Sequence, residues 1–332
     1  MMKLKDVVLS AFVAAGMTAF ADLSVTINKV ETANPWDGTK GRIMVDYSLA
    51  GLDSAFIYEV AFDVTAKSET KSFTNAVARL ADGTYTNFID TVTLFGTEIV
   101  AKNANVKISL IAVEPPPAGQ LWEDGPIFAA CNVGANSPEE YGYYFWWGDT
   151  AGYKFDKSKG WVSVKGGSQT IQFSSDDATA GQTSNKGIAT LKSGHWIDAS
   201  NNLVVSDDAT NRDAARAHLG SPWRMMTNGE LQKLVNDCER KWVEEYNGKS
   251  VTGYVVKGKK GSAYGINEVF FPAAGYGDGR KLYAPGSDGF YWSSTPNSDL
   301  ADSAQCLSFF GSSYFNGSYN SRYTGFVVRP VR

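Results

Sequence analysis

Period-two alternation of apolar and polar positions runs through the first third of the chain. Leu23, Val25 and Ile27 alternate with polar neighbours, as do Ile43, Val45 and Tyr47, and later Val106, Ile108 and Leu110. A two-residue period sets one side of a strand on a core and the other in water. Turn formers separate the runs: Asn34-Pro35, Asp37-Gly38, Gly51 and Asp82-Gly83. Short strands at this spacing predict an antiparallel all-β sandwich over residues 22–114. Trp36, inside the first turn, reads as a core plug or as an exposed contact, and the core reading is preferred.

The alternation stops at a proline run. Residues 115–119 form a Pro-rich linker, because consecutive prolines favour an extended, semi-rigid spacer. Residues 120–332 form a second domain of α+β class, rich in glycine and aromatics. One clear 3.6-residue pattern lies there. Thr227 can cap a helix, Glu230 follows three residues on, and Leu231, Leu234, Val235, Cys238 and Trp242 come at helical spacing. A second helix is expected near Arg212–Leu219. Val251–Val256 and Glu268–Phe271 read as strands, and no repeat at solenoid spacing is present.

Near the C-terminus the two-residue period returns. In Ala304–Phe310, Leu307 and Phe309 share one face, and Cys306, Ser308 and Phe310 the other. Leu307, Phe309, Phe326 and Val328 are assigned to the core. Ser308, Phe310, Ser312, Tyr314, Asn316, Tyr319, Asn320 and Tyr323 are assigned to an exposed face and its hairpin loops.

Composition gives that face a meaning. Tyr291–Tyr323 holds nine Ser, four Tyr and three Asn against three charged residues, Asp299, Asp302 and Arg322. Tyr supplies rigid contact area and Ser and Asn adaptable hydrogen bonding, which is the make-up of a binding surface. Clustered exposed aromatics point to a partner. The alternative is a polar, turn-rich edge that meets only water.

A net charge of −4 argues against a nucleic-acid partner, since a phosphate-binding surface needs a Lys/Arg excess. Lys257, Lys259 and Lys260, the densest basic cluster, read as a solvated hairpin tip. At the start, Lys3 and Lys5 precede an apolar stretch from Val7 to Phe20, and Ala19-Phe20-Ala21 fits a small-x-small cleavage site. Residues 1–21 are therefore expected to be a signal peptide, with the mature chain starting at Asp22. A retained N-terminal anchor is the alternative, although the stretch is short for a bilayer span. The mature chain is expected to have no transmembrane segment and to be secreted, periplasmic or at the cell surface. Three cysteines, Cys131, Cys238 and Cys306, leave at least one unpaired within a monomer.

Catalytic signatures are lacking. His195 and His218 lie in different segments, and there is no HExxH, CxxC or GxSxG motif. Gly258–Gly265 carries no P-loop Lys-Ser/Thr, and Gly275–Gly279 reads as a turn. Acidic pairs stand at Glu139-Glu140, Asp176-Asp177, Asp207-Asp208 and Glu244-Glu245, without EF-hand spacing. Asp207-Asp208 is expected to receive a buried Arg224 or Arg329, because a bidentate guanidinium–carboxylate contact suits a loop-rich core.

Several phrases of the second domain stand in a familiar order. They are Phe128–Ala135 (FAACNVGA), Tyr144–Thr150 (YFWWGDT), Gly220–Thr227 (GSPWRMMT), Phe271–Tyr276 (FPAAGY), Tyr291–Ser294 (YWSS) and Gly325–Val331 (GFVVRPV). Together they resemble the Fibrobacter succinogenes major paralogous domain, a family of exported bacterial proteins. The resemblance implies the C-type-lectin-like fold of the formylglycine-generating-enzyme group, with a final strand that closes the domain. Met226 departs from it, since the family usually has Pro before that Thr. Variable proteins of diversity-generating retroelements share this fold. Adenine-directed mutagenesis of their Asn codons yields Tyr, Ser, Asn, Asp and Phe at solvent-facing positions. Ser313–Ser321 fits such an origin and equally an undiversified member of the family.

The resemblance also frames the chemistry. Formylglycine-generating enzymes need a cysteine pair near the C-terminal core, and only Cys306 lies there, so an enzyme is not expected. Ca²⁺-dependent sugar-binding lectins use Glu-Pro-Asn and Trp-Asn-Asp phrases. Thr295-Pro296-Asn297 lacks the acid and no Trp-Asn-Asp exists, so no such site and no cofactor is expected; a structural Ca²⁺ stays open. Trp292, in a family phrase, reads as a core plug. Cys131 and Cys238, on the opening turn and the main helix, are expected to form a disulfide. The resulting expectation is an exported ligand-binding protein whose partner is a protein or glycan on a cell surface. The alternatives are an enzyme of formylglycine-generating type, a carbohydrate-acting accessory protein, and a structural surface component or adhesin.

Overall fold

The computed structural model describes residues 23–33, 41–52, 56–75, 78–113, 118–165, 170–175, 186–259 and 261–332. The leader segment, Trp36 with its turn, the prolines at 115–117, Asp176-Asp177 and Lys260 lie outside the described residues. The chain divides into two compact units, one of residues 1–116 with 261–266 and one of 117–260 with 267–332.

The first unit follows the alternation. It comprises β1 (Ser24–Thr32), β2 (Arg42–Ala50), β3 (Ile57–Ala66), β4 (Glu69–Thr74), β5 (Gly83–Asp90), the one-turn helix α1 (Thr91–Phe95) and β6 (Asn105–Val113). These strands make two antiparallel three-stranded sheets, ordered β1-β2-β5 and β4-β3-β6. Along β2 every second residue, Ile43, Val45, Tyr47 and Leu49, is buried. They share one core with Tyr58, Val60, Phe62, Val106, Ile108 and Leu110 from the other sheet. Tyr47 meets Phe62 edge to face at 5.7 Å. Each such side chain removed from water stabilises by roughly 1.5–3 kcal/mol, which is why the alternation specifies the register of the strands.

The second unit is a β-rich α+β fold. Its elements are β7 (Tyr144–Phe145), β8 (Tyr153–Asp156), β9 (Gly160–Ser163), β10 (Thr170–Ile171), α2 (Ile188–Ser193), α3 (Ala214–Leu219), β11 (Arg224–Met225) and α4 (Asn228–Asp237). There follow β12 (Glu239–Val243), β13 (Gly253–Lys257), β14 (Glu268–Pro272), β15 (Tyr276–Asp278), β16 (Lys281–Tyr283), β17 (Asp288–Pro296), β18 (Ser303–Phe310), β19 (Tyr314–Ser321), β20 (Phe326–Val327) and β21 (Pro330–Val331). An eight-stranded sheet runs in the order β10-β9-β8-β7-β20-β17-β18-β19, with β19 at one edge.

Local chemistry explains where α4 starts and stops. Thr227 Oγ1 accepts from Glu230 N, and the Glu230 carboxylate accepts from Thr227 N, forming a capping box. The Glu230 carboxylate also takes a bidentate contact from Arg224, at 2.8 and 2.5 Å. Leu231, Leu234 and Val235 face the core. The apolar period suggested a helix reaching Trp242, but α4 ends at Asp237 and Cys238 is already extended. Residues 239–243 pair with β13 instead, and Trp242 packs on Tyr254 at 5.3 Å. Ladder hydrogen bonds and an aromatic contact outweigh continued helix there. α3 begins at Ala214 because the Asp213 carboxylate caps it, accepting from Arg216 N.

Both faces of the large sheet are covered at its central strands, β20, β17 and β18. Leu307, Phe309 and Phe315 pack with Leu231 and Leu234 of α4 and with Tyr254 and Tyr291. Trp292, Cys306, Phe326 and Val328 pack on the opposite side with Trp147 and Phe145. All four residues assigned to the core, Leu307, Phe309, Phe326 and Val328, are buried. Trp292 is buried too, and its indole N–H donates to Phe145 O at 2.9 Å.

The last segment returns to the first segment of this unit. Ile127 and Arg332 exchange both main-chain hydrogen bonds, at 2.9 and 3.0 Å. Arg329 is 0% exposed, and among the described residues no carboxylate pairs with it. It donates to Asn132 Oδ1, to the carbonyls of Ala129 and Ala130, and to Phe270 O. The expected partner pair takes other roles: Asp207 pairs with Arg216 at 2.9 Å, and Asp208 accepts from Ser206 and Thr210. Carbonyl oxygens and Asn132 satisfy the guanidinium N–H groups, which offsets part of the cost of taking the charge out of water.

Candidate functional site

Strand register sorts the C-terminal side chains. Across β17, β18 and β19, Asp288 stands opposite Phe310 and Phe310 opposite Tyr314. The next row is Phe290, Ser308 and Asn316, and Ala304 faces Asn320. Direct cross-strand partners share a face. Phe310, Tyr314, Asn316 and Asn320 therefore stand on one face with Asp288 and Phe290.

Two of the expected residues do not join them. Tyr319 pairs with Gln305, in the set that holds Leu307, Phe309, Phe315 and Gly317. It lies 53% exposed on the opposite face, the one α4 covers. The contact with α4 is close: a Cβ on Gly317 would stand 2.3 Å from Gln232 Nε2 and 2.9 Å from Leu231 Cδ2. Ser308 is on the expected face but only 2% exposed, with its hydroxyl unpartnered. The alternation described a half-buried strand, whereas β18 lies between two strands and is covered on both sides. Phe310 and Tyr314 are exposed, at 44% and 36%. Ser312 and Asn316 are exposed as well, and Asn320 and Tyr323 are half-buried.

A cleft of about 420 Å³ opens on that face. Its walls are Tyr276 and Asp278 from β15, Asp288 and Phe290 from β17, Phe310 from β18, and Asn320, Ser321 and Tyr323 at the end of β19. Five rings run in a line along it. Tyr283 stacks on Tyr276 at 5.5 Å, and Tyr276 meets Phe290 at 5.1 Å. Phe290 then meets Phe310 at 5.6 Å, and Phe310 meets Tyr314 at 5.2 Å. Phe290, in the middle, also stacks on the core residue Phe326 at 4.8 Å, so the line is anchored.

The cleft is acidic. Asp278 and Asp288 are its charged wall residues, and Lys281 stands directly across from Asp278 in the β15–β16 pair, on the same face. The Tyr276 phenol is raised above its ordinary pKa by burial and, next, by the negative charge of Asp278, by Tyr283 and by Asp288.

Sequence reasoning missed Tyr276 and Asp278, because Gly275–Gly279 reads as a turn, and it assigned no role to Tyr283 or Asp288. A signal was present, in that glycine alternates with Tyr and Asp there. A Cβ on Gly277 would stand 2.5 Å from the Phe173 ring and 2.7 Å from Trp161. β15 thus lies flat on two aromatic rings through its glycine side and presents Tyr276 and Asp278 on the other.

A second cleft, of about 460 Å³, lies among Lys165, Asp207, Asp208, Arg212, Arg216 and His218. Its groups are mostly engaged. Besides the Asp207–Arg216 pair, Asp208 is lowered below the usual carboxylate range by hydrogen bonds from Thr210 and Ser206. His218 Nε2 lies 3.1 Å from Thr150 O, and burial lowers its pKa. Arg212 sits 4.4 Å over the Trp196 ring.

The remaining candidates are structural. Glu139 accepts from Asn247 at 2.7 Å and from Lys249 at 3.1 Å, and hydrogen bonds from Ser137, Asn247 and Lys249 hold its pKa at about 2. Among the described residues no three His, Cys, Asp or Glu side chains gather as a metal cage. The expected Cys131–Cys238 disulfide is absent, and all three cysteines are free thiols. Cys238 packs in the core under α4, where burial pushes the thiol up to about 12. Cys131 sits half-buried in the segment that Arg329 holds. The two occupy different surroundings, and Cys238 behaves as a small apolar residue. Among the described residues no helix is long and apolar enough to cross a membrane.

No curated protein and no solved structure matches the chain. Residues 234–331 match the family model described as Domain of unknown function (DUF8237). Every wall of the aromatic cleft falls inside the stretch that is similar to that family.

Proposed function

We propose that the chain is an exported bacterial protein that binds a ligand without transforming it. Its first unit serves as a spacer or attachment module. Its second unit is a C-type-lectin-like domain of the kind implied by the major-paralogous-domain phrases. Closure of that unit by its final segment supports the fold reading. The observation that carries the function is the anchored line of rings ending in exposed Phe310 and Tyr314. Rigid rings bury area against a partner, while Asn320 and Ser321 satisfy its polar groups. The partner is a protein or glycan on a cell surface. A combined Phe310→Ala, Tyr314→Ala variant is expected to keep its melting temperature and lose binding on arrays of glycans and surface proteins. Undiminished binding would overturn the reading.

The exposed positions Ser312, Tyr314, Asn316 and Tyr319 favour a retroelement origin for this hairpin, because they are residue types that adenine-directed mutagenesis of Asn codons yields. Its buried neighbour Phe315 and the tightly packed Gly317 could not vary freely. The expected finding is a near-copy repeat beside a reverse transcriptase gene, differing at adenines over the codons for residues 291–323. A repeat that is missing, or that differs at other bases, would refute this.

A further inference from the structure

The β19 edge of the large sheet is closed by its own side chains. The N–H groups of Gly317 and Ser321 donate to Asn316 Oδ1 and Asn320 Oδ1, both at 2.8 Å. An extended peptide joins a sheet through free main-chain groups at its edge, so it finds little to pair with here. A ligand in the aromatic cleft is therefore read by side chains, and those side chains restrict its chemistry. Asp278 and Asp288 repel an anion. Lys281, directly across from Asp278, competes with any cation for that carboxylate. A wholly apolar ligand would strip water from both carboxylates and return no hydrogen bond. What remains is an uncharged ligand with an apolar face and several hydroxyl groups.

A pyranose sugar has that form, with C–H groups over its face and hydroxyls around its rim. The cleft offers a complement to each. Phe310, continued by Tyr314, and Tyr276, continued by Tyr283, present ring faces whose negative π surface attracts C–H groups. The two carboxylates accept hydroxyl protons in charge-assisted hydrogen bonds. Asn320 Oδ1 is taken by Ser321 N, but among the described residues its Nδ2 makes no hydrogen bond, which leaves a donor for a hydroxyl oxygen. The volume of about 420 Å³ also suits a small ligand rather than a protein face. We propose that this cleft binds a neutral glycan, its sugar rings stacked on Tyr276 and Phe310 and its hydroxyls held by Asp278, Asp288 and Asn320. This rests on the reading of the cleft as a binding site and narrows its partner from protein or glycan to glycan.

The test follows the aromatic ring resonances of the full chain by NMR. The chain is titrated with neutral tetrasaccharides of glucose, galactose, mannose and xylose units, and with tetragalacturonate. At least one neutral sugar is expected to shift the rings of Tyr276 and Phe310, and tetragalacturonate to leave them in place. The shift is expected to survive EDTA, because among the described residues no metal cage stands between carboxylates and ligand. An Asp288→Ala variant is expected to keep its melting temperature and bind that sugar about tenfold more weakly, as the loss of one hydrogen bond to a charged group allows. Asp278→Ala repeats the measurement on the other wall. No shift with any neutral sugar, an equal shift with tetragalacturonate, loss of the shift in EDTA, or full affinity in both Asp variants overturns the proposal. The wider reading fails separately. Surface-protein binding that the Phe310→Ala, Tyr314→Ala variant loses would refute the glycan and leave the cleft standing as a protein site, whereas undiminished array binding by that variant would sink the cleft itself.

Discussion

Two clefts of the second unit are similar in size and different in chemistry. The one among Lys165, Asp207, Arg212 and His218 is the richer in charge, and most of its groups answer one another, although among the described residues Arg212 Nε is buried without a hydrogen-bond partner. Arg216 holds Asp207, Ser206 and Thr210 hold Asp208, and Trp196 carries Arg212. The one beside β19 has fewer charged groups, and among the described residues its two carboxylates form no ion pair, Lys281 standing across from Asp278. Charge counted from sequence would rank the first cleft higher, since it holds the Asp207-Asp208 pair. What separates a site from a scaffold is hydrogen-bonding and charge capacity left over after folding.

That distinction fails or strengthens on a graded series of substitutions. Phe290→Ala should have the largest effect, a loss of about 3–4 kcal/mol in urea unfolding, because its ring anchors the line of rings to Phe326. A loss below about 1 kcal/mol would mean that the rings are surface decoration. Next comes Asp213→Ala, beside the engaged cleft. It leaves the N–H groups of Arg216 and Met225 without their acceptor and should cost about 2–3 kcal/mol. Phe310→Ser and Tyr314→Ser should each change stability by less than about 1 kcal/mol, since both rings are already exposed. A large loss there would turn the proposed binding face into a structural one.

The smallest effect is a pH dependence. Burial holds His218 below its ordinary 6.5, with Lys165 adding to the shift. The unfolded chain takes up the proton first as pH falls, so this contribution to stability is complete above pH 6.5 and is lost below it. His218→Gln should flatten that part of the melting-temperature profile. A steeper profile in the variant would show the sign to be wrong.

Much of this arrangement can be read in the residues. Strand parity alone places Tyr314, Asn316 and Asn320 together and sends Tyr319 to the other side, since they are even and odd positions of one unbroken ladder. Grouping them by composition obscured that. The burial of Ser308 could not be read locally, because it depends on layers that other parts of the chain supply to both faces of β18. The separation of Cys131 from Cys238 likewise depends on tertiary placement. The helix start was legible, because Thr227 and Glu230 satisfy each other within one turn. Its end was not, because β13 competes for residues 239–243 from a distance in sequence.

The bond pair between Ile127 and Arg332 has a consequence for how this unit can be handled. Ile127, in its opening segment, and Arg332 are neighbours, and Arg329 rivets the closing segment to the opening one. A body whose entry and exit adjoin can be spliced into a loop of another protein, or reopened elsewhere and rejoined there, with little strain on its sheet. In engineering terms the unit is a cassette, and its β19 hairpin is the part to rewrite.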